Sequence, residues 1–202
     1  MTAIAGLNVS RETLEALEVF VDLVKKWTPR INLISKSSVG EIWERHICDS
    51  AQIYDLAETK GHWVDLGSGG GFPGMVVAIL SKGNGAKHSF TFVESDQRKC
   101  AFLRTAAREL ELDVNIIADR VEEISSLDAD ILTARALADL SVLLSFADRH
   151  LLNTGTALFP KGETWRKEHD AAQAHWSYRC DAVKSTTNPD AAVLKIQEIA
   201  RV

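Results

Sequence analysis

The chain has 202 residues, a formal net charge of −5, 46% hydrophobic and 25% charged side chains. Those values suit one soluble globular unit with a sizeable core and room for a helical extension. They exclude a protein that is basic all over, but not a local basic face. No apolar run reaches the length of a membrane span, and Met1–Gly6 lacks the basic and apolar regions of a signal peptide. Cys48, Cys100 and Cys180 are far apart and form no C-x-x-C pair. Neither a metal site nor a disulfide framework is expected, and a reducing cytoplasm fits.

In chain order, Ser10 to Trp27 reads as a helix, with Leu14, Leu17, Val21 and Val24 recurring at three- and four-residue steps. Ser10 caps it, and Pro29 is expected to end it. Lys25, Lys26 and Arg30 are either a solvated helix end or part of an RNA-facing surface. A second helix is expected from about Ser38 to Glu58, closed by Gly61. It carries Arg45, His46 and Asp49. Arg45 and Asp49 are four apart and spaced to pair across one turn, and His46 is spaced to meet Asp49. No triad nucleophile accompanies them, so a local structural pair anchoring the helix competes with a catalytic role.

Alternating strands and helices follow. Strands are expected at Trp63–Leu66, His88–Val93, Val114–Ala118, Ala129–Ala134 and Thr156–Pro160. Helices are expected at Pro73–Ser81, Gln97–Leu110 and Leu137–Leu152, with a short helical piece after Asp119 and a polar helix at about Glu163–His175. Tyr178–Ser185 and Ala192–Ile199 around Asn188-Pro189-Asp190 read as a final hairpin. This alternation predicts an α/β doubly wound parallel sheet with an antiparallel strand added at one edge. Class I methyltransferases have that arrangement, and a standard NAD-binding domain does not.

The informative stretch joins the first core strand to its helix, with glycines at 67, 69, 70, 71 and 74 and Pro73 in the first helical turn. Glycines let the backbone bend tightly and approach a ligand, while the helix-start N–H groups point at whatever lies over the turn. Gly69–Gly74 fits the weak dinucleotide fingerprint, and no Lys-Ser/Thr follows as a P-loop requires. Asp65-x-Gly67-x-Gly69-x-Gly71 resembles motif I of class I S-adenosylmethionine methyltransferases, whose acid lies near the cofactor ammonium. A glycine-rich hairpin without ligand is the bland alternative. Gly67, Glu94, Asp119 and Arg135 all stand at or just after strand carboxyl ends, where the ligand crevice of such sheets lies. Glu94 has the chemistry to accept bonds from ribose hydroxyls, or it serves only the following helix. Phe72, in the glycine turn, is poorly placed for the core and suits packing on cofactor or helix. Main-chain groups at Val121 and Glu122 are placed for an adenine edge. Arg135 suits a carboxylate or phosphate, and Lys161 adds a cation on the same rim. Arg98, Lys99, Arg104 and Arg108 are either solvated surface or part of a basic face.

Taken together, Asn32-Leu33, Arg45-His46-x-x-Asp49-Ser50, Asp65 to Gly74, Glu94-Ser95 with Lys99, Phe102-Leu103, Arg120-Val121-Glu122, Arg135-Ala136 and Lys161-Gly162 resemble the RsmG (GidB) family. The likeness spans roughly residues 14 to 165, and its Phe-Pro-Gly and Arg-His-x-x-Asp-Ser boxes are far more specific than motif I. It implies a bacterial cytoplasmic enzyme that uses S-adenosyl-L-methionine to methylate guanosine N7 in the 530 loop of 16S rRNA. It also implies cofactor contacts at Gly67, Phe72, Val121, Glu122 and Arg135, to which Asp65, Ser68, Gly69 and Glu94 are added from the turn and strand ends. Arg45, His46, Asp49 and Lys161 are implied on the active face. The substrate would be 16S rRNA or a small-subunit precursor, with a monomer favoured and no metal. Residues 1–59 would be a helical extension packed on a methyltransferase domain at 60–202. Ser68 and Gly70 stand where many relatives carry Thr, Ala or Pro. The C-terminal strands match loosely and receive no function. Competing readings are a methyltransferase for another RNA or small molecule, an NAD-dependent oxidoreductase, and an RNA-binding module that has lost its cofactor.

Overall fold

The computed structural model describes residues 2–57 and 60–202. A seven-stranded sheet is the spine, built from β3 (His62–Leu66), β4 (Ser89–Val93), β5 (Val114–Ile117), β6 (Ala129–Ala134), β7 (Leu151–Lys161), β8 (Trp176–Lys184) and β9 (Ala192–Arg201). Their spatial order is β5-β4-β3-β6-β7-β9-β8. The first five run parallel, and β9 pairs antiparallel with both β7 and β8. The expected sheet and terminal hairpin are therefore present. The order reverses direction beside β3, between β4 and β6, which creates the crevice at their carboxyl ends.

Alternation along each strand divides the core. Trp63, Phe90, Phe92, Ile131 and Leu158 face one way, while Val64, Leu66, Val93, Leu132, Ala134 and Phe159 face the other. The first face is covered by α1 (Arg11–Ile31), α3 (Gly74–Gly83) and α4 (Gln97–Glu109), and the second by α5 (Leu140–His150) and α6 (Trp165–Ala172). Phe20 of α1 packs on Phe72 with ring centroids 5.3 Å apart, and Trp27 meets Phe102 of α4 edge-on at 5.8 Å. The N-terminal residues thus share one core with the sheet.

Local departures from expectation concentrate before β3. Pro29 lies inside α1, which runs on to Ile31. Proline normally breaks a helix by losing an N–H and crowding the preceding turn. Here it stands in the last turn, and both it and Lys25, the residue four before it, are exposed. Thr28 Oγ1 donates to Val24 O at 2.7 Å, and Asn32, left-handed at φ 52°, closes the helix through its N–H to Thr28 O. Thr2–Ile4 (β1) and Leu7–Val9 (β2) form a hairpin that sequence reading missed, because its bend is Ala5-Gly6 rather than Asn-Gly.

The expected helix from about Ser38 is instead three pieces: a 3₁₀ segment at Lys36–Glu41, a π-turn at Trp43–Cys48 and α2 (Asp49–Tyr54). Val39-Gly40 weakens a regular helix, and Asp49 N–H reaches back five residues to Glu44 O. Because α2 stops at Tyr54, Gly61 does not close it; the expected terminal residue Glu58 lies outside the described residues. The piece after Asp119 is a turn, with Glu123 N bonded to Arg120 O. Among the described residues no helix is long and apolar enough to cross a membrane, and no group of three or more His, Cys, Asp or Glu side chains is placed to hold a metal.

Candidate functional site

The turn after β3 is held from beneath by a buried carboxyl. Asp65 is fully buried; it accepts from Thr133 Oγ1 at 2.7 Å and from the Gly74 N–H at 3.3 Å. Ser68 Oγ donates to Asp65 O at 2.9 Å. Gly67, Gly69 and Gly71 take φ of 64°, 53° and 84°, so the chain doubles back over this anchor. The Asp65 and Ser68 side chains, expected at the cofactor, are therefore turned inward and shape the turn instead. Burial pushes the Asp65 carboxyl up to about 6, against the pull of bonds from Thr133, Ser68 and Gly74. Between the ordinary carboxyl range and that value the folded state holds the extra proton, so stability falls as pH rises through the interval. Relative to the Asp65→Asn variant, the wild-type thermal midpoint should drop between pH 4 and pH 7. A parallel pair of curves would contradict this.

A cleft of about 290 Å³ opens over the turn, lined by Gly67, Gly69, Glu94, Ser95, Lys99, Asp119, Val121, Glu122, Leu137 and Phe146 among others. Glu94 directly follows the end of β4, as expected. Its Oε2 accepts from the Gly69 N–H and its Oε1 from the Asp96 N–H, both at 2.8 Å. These two bonds fix the carboxylate at the cleft wall and couple it to the glycine turn. The helix-capping role weighed for it belongs instead to Asp96, whose carboxylate accepts from the Arg98 and Lys99 N–H groups. An apolar slot of Val121, Leu137 and Phe146, a carboxylate at a strand end and a bare glycine backbone match the base, diol and amino-acid parts of a nucleoside cofactor. An added Cβ at Gly69 would project beside Glu94 Oε2, at 3.9 Å. The residues present thus fit S-adenosylmethionine.

Phe72 does not line this cleft. It is 4% exposed and packs on Phe20 of α1 and on His46, so of its two expected partners it takes the helix, and it joins the core where a poor fit was expected. The reason is that α1 folds back over the turn and offers an apolar floor which the sequence does not announce.

A second cleft of about 530 Å³ adjoins the first, and Ala136 borders both. Ala136 is left-handed at φ 53°, a strained setting for a non-glycine residue and one that recurs at functional sites. Arg45, Asp49, Gln52, Arg135, Lys161 and Glu168 line this second space. Arg135 is its hub. Nη1 donates to Asp49 Oδ2 at 3.1 Å and Arg45 O at 3.3 Å, and Nη2 to His46 Nδ1 at 2.9 Å. Its guanidinium also lies over the Phe72 ring at 5.3 Å.

The pairings expected along the helix are thereby replaced. Asp49 meets Arg135, Gln52 and Thr187 rather than Arg45, and Arg45 pairs with exposed Glu41 at 3.3 Å. His46 meets Arg135 rather than Asp49. Burial, helped by Arg135 and Arg45, lowers His46 to about 4. The ring is neutral at neutral pH, so Nδ1 accepts and Nε2 carries the hydrogen. Burial likewise lowers the Arg135 guanidinium, while Asp49 opposes the shift.

Lys161 lies on the rim as expected but is not free. Its Nζ meets Glu168 Oε2 at 2.5 Å and Ala138 O at 3.0 Å, and Glu168 Oε2 also accepts from the Leu140 N–H. Sequence reading missed Gln52, Thr133, Glu168 and Thr187. Apart from the Glu168–Lys161 pair, their roles depend on partners far away in the chain, which no local pattern marks. On the helix that meets α1, Arg98 pairs with Asp96 and Arg108 with Glu109.

Comparison with known proteins agrees with this geometry. The family model described as GidB, rRNA small subunit methyltransferase G, matches residues 13–194. A ribosomal RNA small subunit methyltransferase G of Ruegeria pomeroyi is 56% identical over 97% of this chain and 96% of its own. Among solved structures, an MtNAS mutant in complex with S-adenosylmethionine aligns with a TM-score of 0.60 at 16% identity, over 92% of this chain and 75% of its own. An S-adenosylmethionine-dependent methyltransferase from Aquifex aeolicus aligns with a TM-score of 0.60 at 14% identity, over 87% and 97%. Sheet, glycine turn and relatives converge: this chain has the class I S-adenosylmethionine-dependent methyltransferase fold and belongs to the GidB family, rRNA small subunit methyltransferase G.

Proposed function

We propose that the chain methylates N7 of a guanine in the 530 loop of 16S rRNA, within naked RNA or a small-subunit particle. The first cleft is the cofactor site. Gly67, Gly69, Glu94, Val121 and Glu122 hold S-adenosylmethionine there, and Arg135 reaches its carboxylate from the shared wall. The second cleft is the acceptor site, framed by Arg45, Asp49, Arg135 and Lys161. His46 supports it from behind. Bound S-adenosylmethionine supplies an electrophilic methyl on a sulfonium.

One observation carries the choice of acceptor atom: the charged side chains named on the acceptor cleft are already partnered. Arg45 meets Glu41, Arg135 meets Asp49, and Lys161 meets Glu168. Asp49 and Glu168 are each held by several bonds, and His46 is neutral with Nδ1 engaged. Guanine N7 needs no base, because it carries an in-plane lone pair and no hydrogen. As the base becomes cationic, paired cations repel it far less than bare ones would. The protein's part is then to aim N7 along the S–CH₃ axis and exclude water.

Phosphate contacts by exposed Lys25, Lys26, Arg30 and Lys36 fit a ribosomal partner and make binding fall with salt. Small subunits from a strain lacking this protein should be incubated with it and labelled S-adenosylmethionine, then digested to nucleosides. Mass spectrometry should find N7-methylguanosine, at a rate nearly flat from pH 6 to 8. Methyl on another atom, or an essential base titrating near neutrality, would refute the proposal.

A further inference from the structure

We infer that the turn between β8 and β9 is the outer wall of the acceptor cleft and that Gln52 is the residue that positions it. The inference rests on the acceptor reading above. Asn188, Pro189 and Ala191 of this turn line the cleft opposite Arg135 and Lys161. The turn stands at the tip of an edge hairpin, where a segment held only by its own strands is free to sway. Internally it is folded by Ser185 N to Ala191 O, Ala191 N to Asn188 O and Asp190 N to Asn188 Oδ1.

What fixes it against the rest of the molecule is one side chain of α2 and the residue one turn before it. Gln52 Oε1 accepts from Thr186 N at 2.9 Å and from Thr186 Oγ1 at 3.2 Å. Gln52 Nε2 donates to Ser185 Oγ at 3.3 Å and to Asp49 Oδ1 at 3.0 Å. Thr187 Oγ1 donates to Asp49 Oδ1 at 3.1 Å. These contacts cross 133, 134 and 138 residues of chain.

With both its acceptor and its donor group committed, Gln52 has little left to read a base. Its task is to hold the turn over the cleft. Asp49 joins the two halves of the site, because one of its oxygens serves the turn and the other serves Arg135. A planar base entering the cleft is thus confined between a wall set by Gln52 and a floor set by Arg135. Without the wall the base keeps its floor contacts but loses its line to the methyl group. A shift of about 1 Å in such a geometry costs roughly a hundredfold in rate.

The test compares wild type with Gln52→Leu, close in shape but unable to make these bonds, and with the double variant Asn188→Ala/Pro189→Gly, which loosens the turn without touching α2. Methylation of small subunits should fall at least about tenfold in kcat/KM. Most of the loss should appear in kcat, while the Kd for S-adenosylmethionine stays within twofold. Amide exchange at 185–191 should rise without change in the core strands. A folded variant that methylates as wild type does would overturn the inference, as would a loss matched by equal loss of cofactor affinity. The wild-type control separates the two levels: if it yields no N7-methylguanosine, the acceptor reading itself fails.

Discussion

Arg135→Ala should lower kcat/KM for small-subunit methylation by about 10²–10³, the largest loss expected from any single exposed-to-cleft side chain. One guanidinium serves Asp49, the Arg45 carbonyl, the His46 ring and the face of Phe72. It stands beside Ala136, which both clefts share. Its removal leaves Asp49 a mostly buried carboxylate without a counter-charge and His46 without its donor. Breaking a fully buried ion pair costs about 3–5 kcal/mol. This pair keeps 18% and 20% of its side-chain surface open to water. The stability loss should therefore be smaller, about 2 kcal/mol. The greater part of the effect is lost geometry, seen in both cofactor affinity and rate. Arg135→Lys should recover only a fraction, because an ammonium reaches Asp49 or His46 but cannot fork to both. Steady-state kinetics with a parallel thermal melt checks this. A kcat/KM within threefold of wild type would remove Arg135 from the centre of the site.

Gly74→Ala should be strongly destabilising, even though Gly74, unlike Gly67, Gly69 and Gly71, needs no left-handed backbone. An added Cβ would lie 2.7 Å from Asp65 Oδ2 and 2.8 Å from Phe92 Cε1. Both neighbours are fully buried, so neither has room to retreat. Overpacking of this kind costs about 1–3 kcal/mol. Shifting the buried carboxyl off the Gly74 N–H adds about 1–2 kcal/mol. Alanine gains at most about 1 kcal/mol in helix propensity, and less in a first turn. The net, about 3 kcal/mol, should lower the thermal midpoint by roughly 6–12 °C. Gly40→Ala is the control: an added Cβ there meets nothing within 4 Å. Equal midpoints for the two variants would show that the crowding is relieved by movement elsewhere.

Much of the sheet was legible from residue pattern. Gly67, Glu94, Asp119 and Arg135, read as standing at or just after strand carboxyl ends, do line the two adjoining clefts, while Asp65 is turned inward beneath them. Strand alternation and helix period are local properties, written within a few residues of one another. The segment before β3 was less legible. From Lys36 to Tyr54 three helix types follow in turn, because Val39-Gly40 is a weak helix former and the segment is steered by what it packs on. Phe72 illustrates the same limit: an aromatic in a glycine turn reads as poorly placed for the core until α1 is laid over it.

From its residues alone the chain determined a doubly wound sheet, a glycine bend after the first core strand, and the chemical types gathered at the crevice. Family likeness followed from the same boxes. Only the tertiary structure decided which partner each charge takes. Asp49 has Arg45 four residues away, yet pairs with Arg135 across 86 residues. Gln52 holds a turn 134 residues distant. Such choices depend on burial: a carboxylate turned away from water takes the partner that is buried with it, and an exposed neighbour gains little by competing. Spacing along the chain carries no record of that competition, because the burial that settles it exists only once the sheet has formed.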